Sequence, residues 1–280
     1  MSLRSVIRNW QAPVFFVLAF ALSWYPWVLG MLGVPKASGI NPLGVFVAAL
    51  IVAGLGGGWA SVKALLSRVV RWRVGWGWLA AAIAIPVGIL ASACVLNFAL
   101  GAAMPTSTQW ANWPEILDRF LFAFLFVGIG EEPGWRGFAL PALSRNRSPL
   151  TASLLLGAIW ALWHLPLFGT EFAWSVVPAF LISVFAGSIV LAWLFNGSRQ
   201  SVLLCMLMHA TVNSAGAGYV FRLFAGADVQ QLWWIYAAIW MFVAALISWR
   251  TGPSLANRSE REAPGVVARA KPYETPSFAR

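Results

Sequence analysis

Eight runs of apolar residues follow one another along the chain, at roughly 12–33, 42–66, 76–101, 115–142, 149–165, 173–196, 200–218 and 230–249, separated by short polar breaks. A helix that crosses about 30 Å of hydrocarbon needs about 20 such residues. Most of the runs meet or approach that length, so the pattern predicts an all-α polytopic membrane bundle of about eight transmembrane helices. The first run is longer than the apolar core of a secretory leader, and no clear small-residue cleavage site follows it. It is therefore expected to be a retained helix. No internal repeat stands out, which argues against the repeat-built transporters.

The polar breaks orient this bundle. Arg4 and Arg8 precede the first run, Lys63, Arg68, Arg71 and Arg73 surround the second break, Arg145 and Arg147 the fourth, and Arg199 the sixth. The tail adds Arg250, Arg258, Arg261, Arg269, Lys271 and Arg280. The alternate breaks hold little beyond Lys36, Arg222, Glu171 and Asp228. Under the positive-inside rule this alternation predicts cytoplasmic N- and C-termini for a multi-pass protein of the cell (inner) membrane. The expected organisation is a single transmembrane domain over 1–250, with its polar chemistry in 115–220, and a disordered cytoplasmic tail over 251–280 rich in Pro, Ser, Glu and Arg. A GxxxG spacing from Gly54 to Gly58 reads as a helix-packing feature.

Composition agrees with the pattern. The 280 residues are 60% hydrophobic and only 10% charged, against about 25% charged in ordinary soluble domains, and the mean hydropathy is +0.75. Many of the 18 tryptophans, including Trp10, Trp24, Trp27, Trp72, Trp76, Trp110, Trp113 and Trp249, fall near predicted helix ends, where interfacial belts form. The net charge of +10 is spread over loops and forms no basic stripe interleaved with aromatics, so nucleic acid is not an expected partner. Membrane lipids and a peptide or protein substrate are. Oligomeric state is not legible. Cys94 and Cys205 are isolated thiols without metal-ligand spacing.

Against this apolar background a few residues stand out. Glu131 and Glu132 adjoin each other at the end of an apolar run, although the whole chain has nine acidic residues. A charged group at the centre of a membrane helix costs about 2.5–3.5 kcal/mol on insertion scales. Arg136 lies four residues after Glu132, on the same helical face, where the two can pair and leave Glu131 free to act as a general base. Pro133 and Gly134 are expected to kink the helix there and admit water. His164 ends the stretch Trp160-Ala-Leu-Trp-His-Leu-Pro166, and His209 shares a helical face with Asn213, a pair able to donate hydrogen bonds to an oxyanion. At 1.5 Å per residue, Glu131, His164 and His209 lie about 18, 22 and 14 Å from the basic ends of their helices, one common layer expected to be reached from the cytoplasmic side. Singly, a buried histidine is usually a satisfied core residue, and the Glu132–Arg136 pair alone reads equally well as structural glue. Together at one depth they mark a reactive site.

These three elements, Glu-Glu-x-x-x-Arg, aromatic-x-x-x-His and His-x-x-x-Asn on successive membrane segments, resemble the CPBP intramembrane proteases, which comprise CAAX prenyl endopeptidases and Abi-type bacteriocin-processing or immunity proteins. The resemblance covers about residues 115–220. It implies that Glu131, helped by His164, activates water, that His209 and Asn213 stabilise the oxyanion, and that Glu132 and Arg136 orient the site or grip substrate. Trp160 stands where the family's pattern usually has phenylalanine, and it is expected to line the pocket. Glu131, His164 and His209 could also ligate Zn²⁺ as a His₂Glu set with an open fourth position, although no HExxH occurs; no cofactor is required by the sequence. No GxSxG motif supports serine chemistry. The expectation is an intramembrane endopeptidase acting on a membrane-associated substrate, prenylated or bacteriocin-like. The alternatives are a non-catalytic immunity or scaffold protein on the same fold, or a proton-coupled transporter using Glu131 and the histidines as a relay.

Overall fold

A computed structural model describes residues 10–256; Arg4, Arg8 and the tail from position 257 onward lie outside them. Among the described residues the chain is helical, with only an isolated bridge between Phe168 and Phe172. Helices α1 (Gln11–Met31), α2 (Leu43–Val69) and α3 (Trp76–Ala99) come first, and a short α4 (Ser107–Ala111) leads into α5, a continuous rod over residues 115–143. Then come α6 (Pro149–Trp163), α7 (Val177–Gly197), α8 (Val202–Thr211, continued by π-helical Val212–Ala217) and α9 (Gly226–Thr251). Each expected apolar run carries one helical rod. Six of them (α1, α2, α3, α6, α7 and α9) are long and apolar enough to cross a membrane. The protein is a multi-pass helical membrane protein.

The rods α5 and α8 are the exceptions to that criterion, because short α-helical and π-helical stretches alternate in them. In α5 the α-helical pieces Glu115–Phe122, Ile129–Glu132 and Leu140–Leu143 are joined by π-helical Ala123–Gly128 and Pro133–Ala139. Pro133 has no N–H to donate to the preceding turn, so regular α-hydrogen bonding must fail there. The expected kink is instead a local widening of the helix, and all three π stretches lie in the two rods that carry Glu131, Glu132, Arg136, His209 and Asn213. Widenings of this kind concentrate at functional sites.

Close packing explains the glycines of α5. A Cβ on Gly130 would lie 2.8 Å from the Pro42 carbonyl carbon, and one on Gly134 would lie 2.4 Å from Val45 Cγ1 and 2.7 Å from its carbonyl oxygen. This small-xxx-small pair seats α5 against the start of α2. The spacing expected to do so, Gly54 to Gly58, behaves differently. A Cβ on Gly54 would touch only Val62 of its own helix, and Gly58 has φ 67°, so it breaks α2 into two segments.

The two ends of the bundle differ in charge. At one end Arg145 donates to Gln11 Oε1 at 2.9 Å, Arg68 to the Gly137 carbonyl at 2.6 Å, Ser201 to the Arg71 carbonyl at 2.6 Å, and Arg71 to the Arg199 carbonyl. Trp10, Trp72, Trp76 and Trp249 are exposed around this basic end. At the other end Asp228 accepts from the Ala103 N–H at 3.0 Å, and Tyr219 donates to the Trp110 carbonyl at 3.0 Å. The segregation matches the alternation of charge in the sequence. The folded part also runs past the expected boundary at 250: Thr251 is buried, Gly252–Ser254 forms a 3₁₀ turn, and Leu255 is fully buried. A leucine that loses its contact with water continues the fold whatever the composition after it.

Candidate active site

Trp160, near the end of α6, holds the site together. Its indole N–H donates to Glu131 Oε2 at 2.8 Å, and the guanidinium of Arg136 lies 4.2 Å over its ring. Its carbonyl faces His164 Nδ1 at 2.7 Å, and its ring meets that of His209 edge-on at 5.4 Å. A phenylalanine at this position could supply the ring face but not the N–H. The departure from the usual pattern therefore adds a hydrogen bond to the carboxylate, beyond the expected lining of a pocket.

Glu131 is not left free, as the sequence suggested. Trp135, one turn further along α5, donates its indole N–H to the same Oε2 at 3.2 Å. Two donors on one oxygen fix the carboxylate, while its other oxygen has no partner among the described residues and the residue keeps 3% of its surface accessible. Trp135 was missed by sequence reasoning, although its i,i+4 spacing from Glu131 was a usable signal.

The expected Glu132–Arg136 pair forms. Arg136 Nη1 lies 3.0 Å from Glu132 Oε1, and both side chains are fully buried. The same Oε1 is 2.7 Å from His209 Nδ1, across the interface between α5 and α8. Buried charge is tolerable when it is paired and hydrogen-bonded. Glu132 Oε2, Arg136 Nε and Arg136 Nη2 remain buried without partners, so the cluster retains unused hydrogen-bonding capacity.

Both imidazoles are thus oriented through Nδ1, one by a backbone carbonyl and one by a carboxylate. This leaves each Nε2 available on the other side of the ring. His164 and His209 retain 8% and 6% of their surface. With Trp160 and Asn213 they line one cavity holding about 100 Å³ of water-accessible space. Asn213 sits one turn after His209, half-buried, and its carboxamide makes no hydrogen bond among the described residues. The far wall comes from Phe172, Phe180, Phe221, Trp233 and Tyr236. Those aromatics were not singled out beforehand, because apolar residues on α7 and α9 look the same in sequence whether they meet lipid or a cavity.

The cavity opens opposite to expectation. Its more accessible lining residues are Phe172, Val212, Asn213 and Ala217. Phe172 follows α6 and Ala217 ends the π-helical extension of α8, so the mouth lies away from the basic loops. Distance along a helix brought the three groups to one layer, but the packing of the buried Val184, Gly187, Leu191, Met208 and Trp240 decides which side is closed.

The His₂Glu metal set is not assembled. Among the described residues no three His, Cys, Asp or Glu side chains come close enough together to hold a metal ion. Glu131 Oε2 is engaged by two indoles, and the carboxylate beside His209 belongs to Glu132. This donor arrangement does not fit the tetrahedral site anticipated for zinc.

Fold and site together define a polytopic helical membrane protein with a buried Glu–His–Asn centre. The family model for type II CAAX prenyl endopeptidase Rce1-like proteins matches residues 112–215, the stretch that carries the motifs. The chain is similar to CAAX prenyl protease 2 of Methanococcus maripaludis, at 30% identity over 102 residues, covering 33% of this chain and 38% of that protein. The chain therefore matches little more than a third of the length of this curated relative. All the candidate site residues fall within the 112–215 stretch that the family model matches.

Proposed function

We propose that this protein is an intramembrane endopeptidase, and one observation carries the reading. Two imidazoles and a carboxamide face a single cavity beside a carboxylate that two indole N–H groups hold in place. A water between the free oxygen of Glu131 and Nε2 of His164 loses a proton to this pair as its oxygen attacks the peptide carbonyl. Asn213 Nδ2–H and His209 Nε2–H donate to the oxyanion that forms. A doubly protonated His209 is paired through Nδ1 with Glu132, which Arg136 in turn anchors. Proton return to the leaving nitrogen breaks the C–N bond and completes the hydrolysis.

The substrate class is a peptide bond in a membrane-associated chain carrying a large apolar group near the cut. The wall of Phe172, Phe180, Phe221 and Trp233 supports this, since it offers aromatic surface to an isoprenoid or an apolar side chain. The family resemblance points to prenylated or bacteriocin-like peptides. With the basic end in the cytoplasm, the cavity mouth faces the opposite side of the cell membrane.

The test is cleavage of a membrane-peptide library, prenylated peptides included, by purified wild type and Glu131→Ala, each with and without chelator. Loss of activity in the variant alone supports glutamate-centred hydrolysis, and sensitivity of the wild type to chelator would bring a metal back into the reaction. No cleavage by either protein, with Glu131→Ala still complementing a cellular phenotype, leaves a binding protein on a protease fold.

A further inference from the structure

A second cavity, remote from the first, lies at the basic end between α1, α2 and the last turns of α5. It holds about 190 Å³ of water-accessible space, and its polar lining comes from Gln11, Ser61, Arg68, the Gly137 backbone and Arg145. Phe138 and Leu65 belong to its apolar wall.

Two guanidiniums from different elements converge here. Each is oriented by one hydrogen bond to a fixed acceptor: Arg68 on the Gly137 carbonyl at 2.6 Å, Arg145 on Gln11 Oε1 at 2.9 Å. A guanidinium has five N–H donors, so most of those on both residues are left over. No carboxylate takes them up among the described residues. Glu131 and Glu132 are inside the core, while Glu115, Asp118, Glu171 and Asp228 lie toward the other end. Lys63, Arg71, Arg73, Arg147, Arg199 and Arg250 surround the same face and make no ion pair with a carboxylate among the described residues. The charge is strongly one-signed, and the cavity sits at helix ends: Gln11 begins α1, Arg68 lies in the last turn of α2 and Arg145 follows α5.

We propose that this cavity binds the phosphate group of an anionic membrane lipid. The phosphate oxygens accept from Arg68, Arg145 and the Ser61 hydroxyl, and the acyl chains leave along the apolar wall toward the bilayer. Basic pockets between membrane helices on the cytoplasmic side suit such headgroups, and the planar fork of arginine suits their paired oxygens. The site also touches the catalytic rod, because the carbonyl that holds Arg68 belongs to the residue after Arg136. Bound phosphate would fix Arg68, and with it the π-helical turn from which Arg136 reaches Glu132.

The experiment is retention of lipid by the full chain through detergent purification, read by native mass spectrometry after equilibration with phosphatidylglycerol or phosphatidylcholine. Thermal unfolding is followed in parallel, with inorganic phosphate as the soluble competitor. Wild type should keep phosphatidylglycerol preferentially, and Arg145→Gln should weaken that retention about tenfold, the scale of one hydrogen bond to a charged group. Arg68→Gln, which also frees Gly137, should weaken it further; Arg145→Gln keeps the test valid if that variant folds poorly. Equal retention of the two lipids by wild type, or unchanged selectivity in Arg145→Gln, overturns the proposal. Protection by millimolar inorganic phosphate as large as that by phosphatidylglycerol overturns the assignment to a lipid.

Discussion

Trp160 and Glu131, on different helices, are joined by a hydrogen bond of 2.8 Å between indole Nε1 and carboxylate Oε2. The bond links α6 to α5 and turns a buried acid that would otherwise be mobile into a fixed one. Trp135 makes the second such bond from within α5. The carboxylate geometry is thus set by two donors whose rings are packed elsewhere, Trp135 against Phe15 and Trp163, and Trp160 beneath Arg136. Preorganisation of this kind saves the reorganisation that a freely rotating acid would need during reaction.

Replacing Trp160 by Phe should therefore lower kcat by about tenfold or less, since one donor of two is lost and the ring face remains. Trp135→Phe should behave similarly. The double variant should lose more than the product of the single effects, because the second loss leaves a buried carboxylate with no donor. Peptide cleavage rates of the three variants, beside their thermal unfolding, make the check. Purely additive effects would mean that the indoles fill space without orienting Glu131.

The spacing rules exposed much of this site in the sequence. Glu132 and Arg136 pair at i,i+4 even though a π-helical turn follows, and His209 and Asn213 share a cavity, as one turn of separation requires. Contacts between helices were not legible. Nothing local in the chain says that His209 takes an oxygen of Glu132, or that two tryptophans close on Glu131, because those bonds depend on how α5, α6 and α8 pack. The mouth of the cavity was hidden for the same reason. Gly54 and Gly58 illustrate a further limit: the motif they form is shared by packing seams and by backbone breaks, and only φ at Gly58 separates the two.

Breaking the Glu132–Arg136 pair from one side should cost stability as well as chemistry, since Glu132 also holds His209. Both side chains are fully buried, so Glu132→Gln leaves a cation without its counter-charge, a loss of about 3–5 kcal/mol in comparable buried pairs. Arg136→Met leaves Glu132 with His209 as its remaining partner and should cost less. Combining the two substitutions should recover part of the loss, because the unpaired cation disappears. Urea unfolding in detergent micelles reads all three. A double variant as unstable as the sum of the singles would show that the charges do not interact.

Asn213 offers a cleaner separation of chemistry from folding. Its side chain is half-buried and makes no hydrogen bond among the described residues, so Asn213→Ala should leave thermal stability nearly unchanged. If the carboxamide donates to the oxyanion, kcat should fall by about 10²–10³ with little change in KM. A transporter or scaffold would be indifferent to the loss. Unchanged turnover in a well-folded variant would remove Asn213 from the proposed mechanism.

The direction of the cavity gives a test that does not depend on catalysis. Ala217 is exposed and lines the mouth, while Arg147 is exposed in the basic loop after α5. The positive-inside rule predicts a cytoplasmic basic end, and on that prediction the mouth should face outward. In a background without Cys94 and Cys205, Ala217→Cys should react with a membrane-impermeant maleimide in intact spheroplasts. Arg147→Cys should react only after lysis. The reverse pattern would put the mouth in the cytoplasm and would mean that the basic loops of this protein do not set its orientation. Labelling at both positions in intact cells would point to mixed insertion, which the strong segregation of charge argues against: the breaks toward the basic end carry Lys63, Arg68, Arg71, Arg73, Arg145, Arg147 and Arg199, and those toward the other end carry chiefly Lys36, Arg222, Glu171 and Asp228.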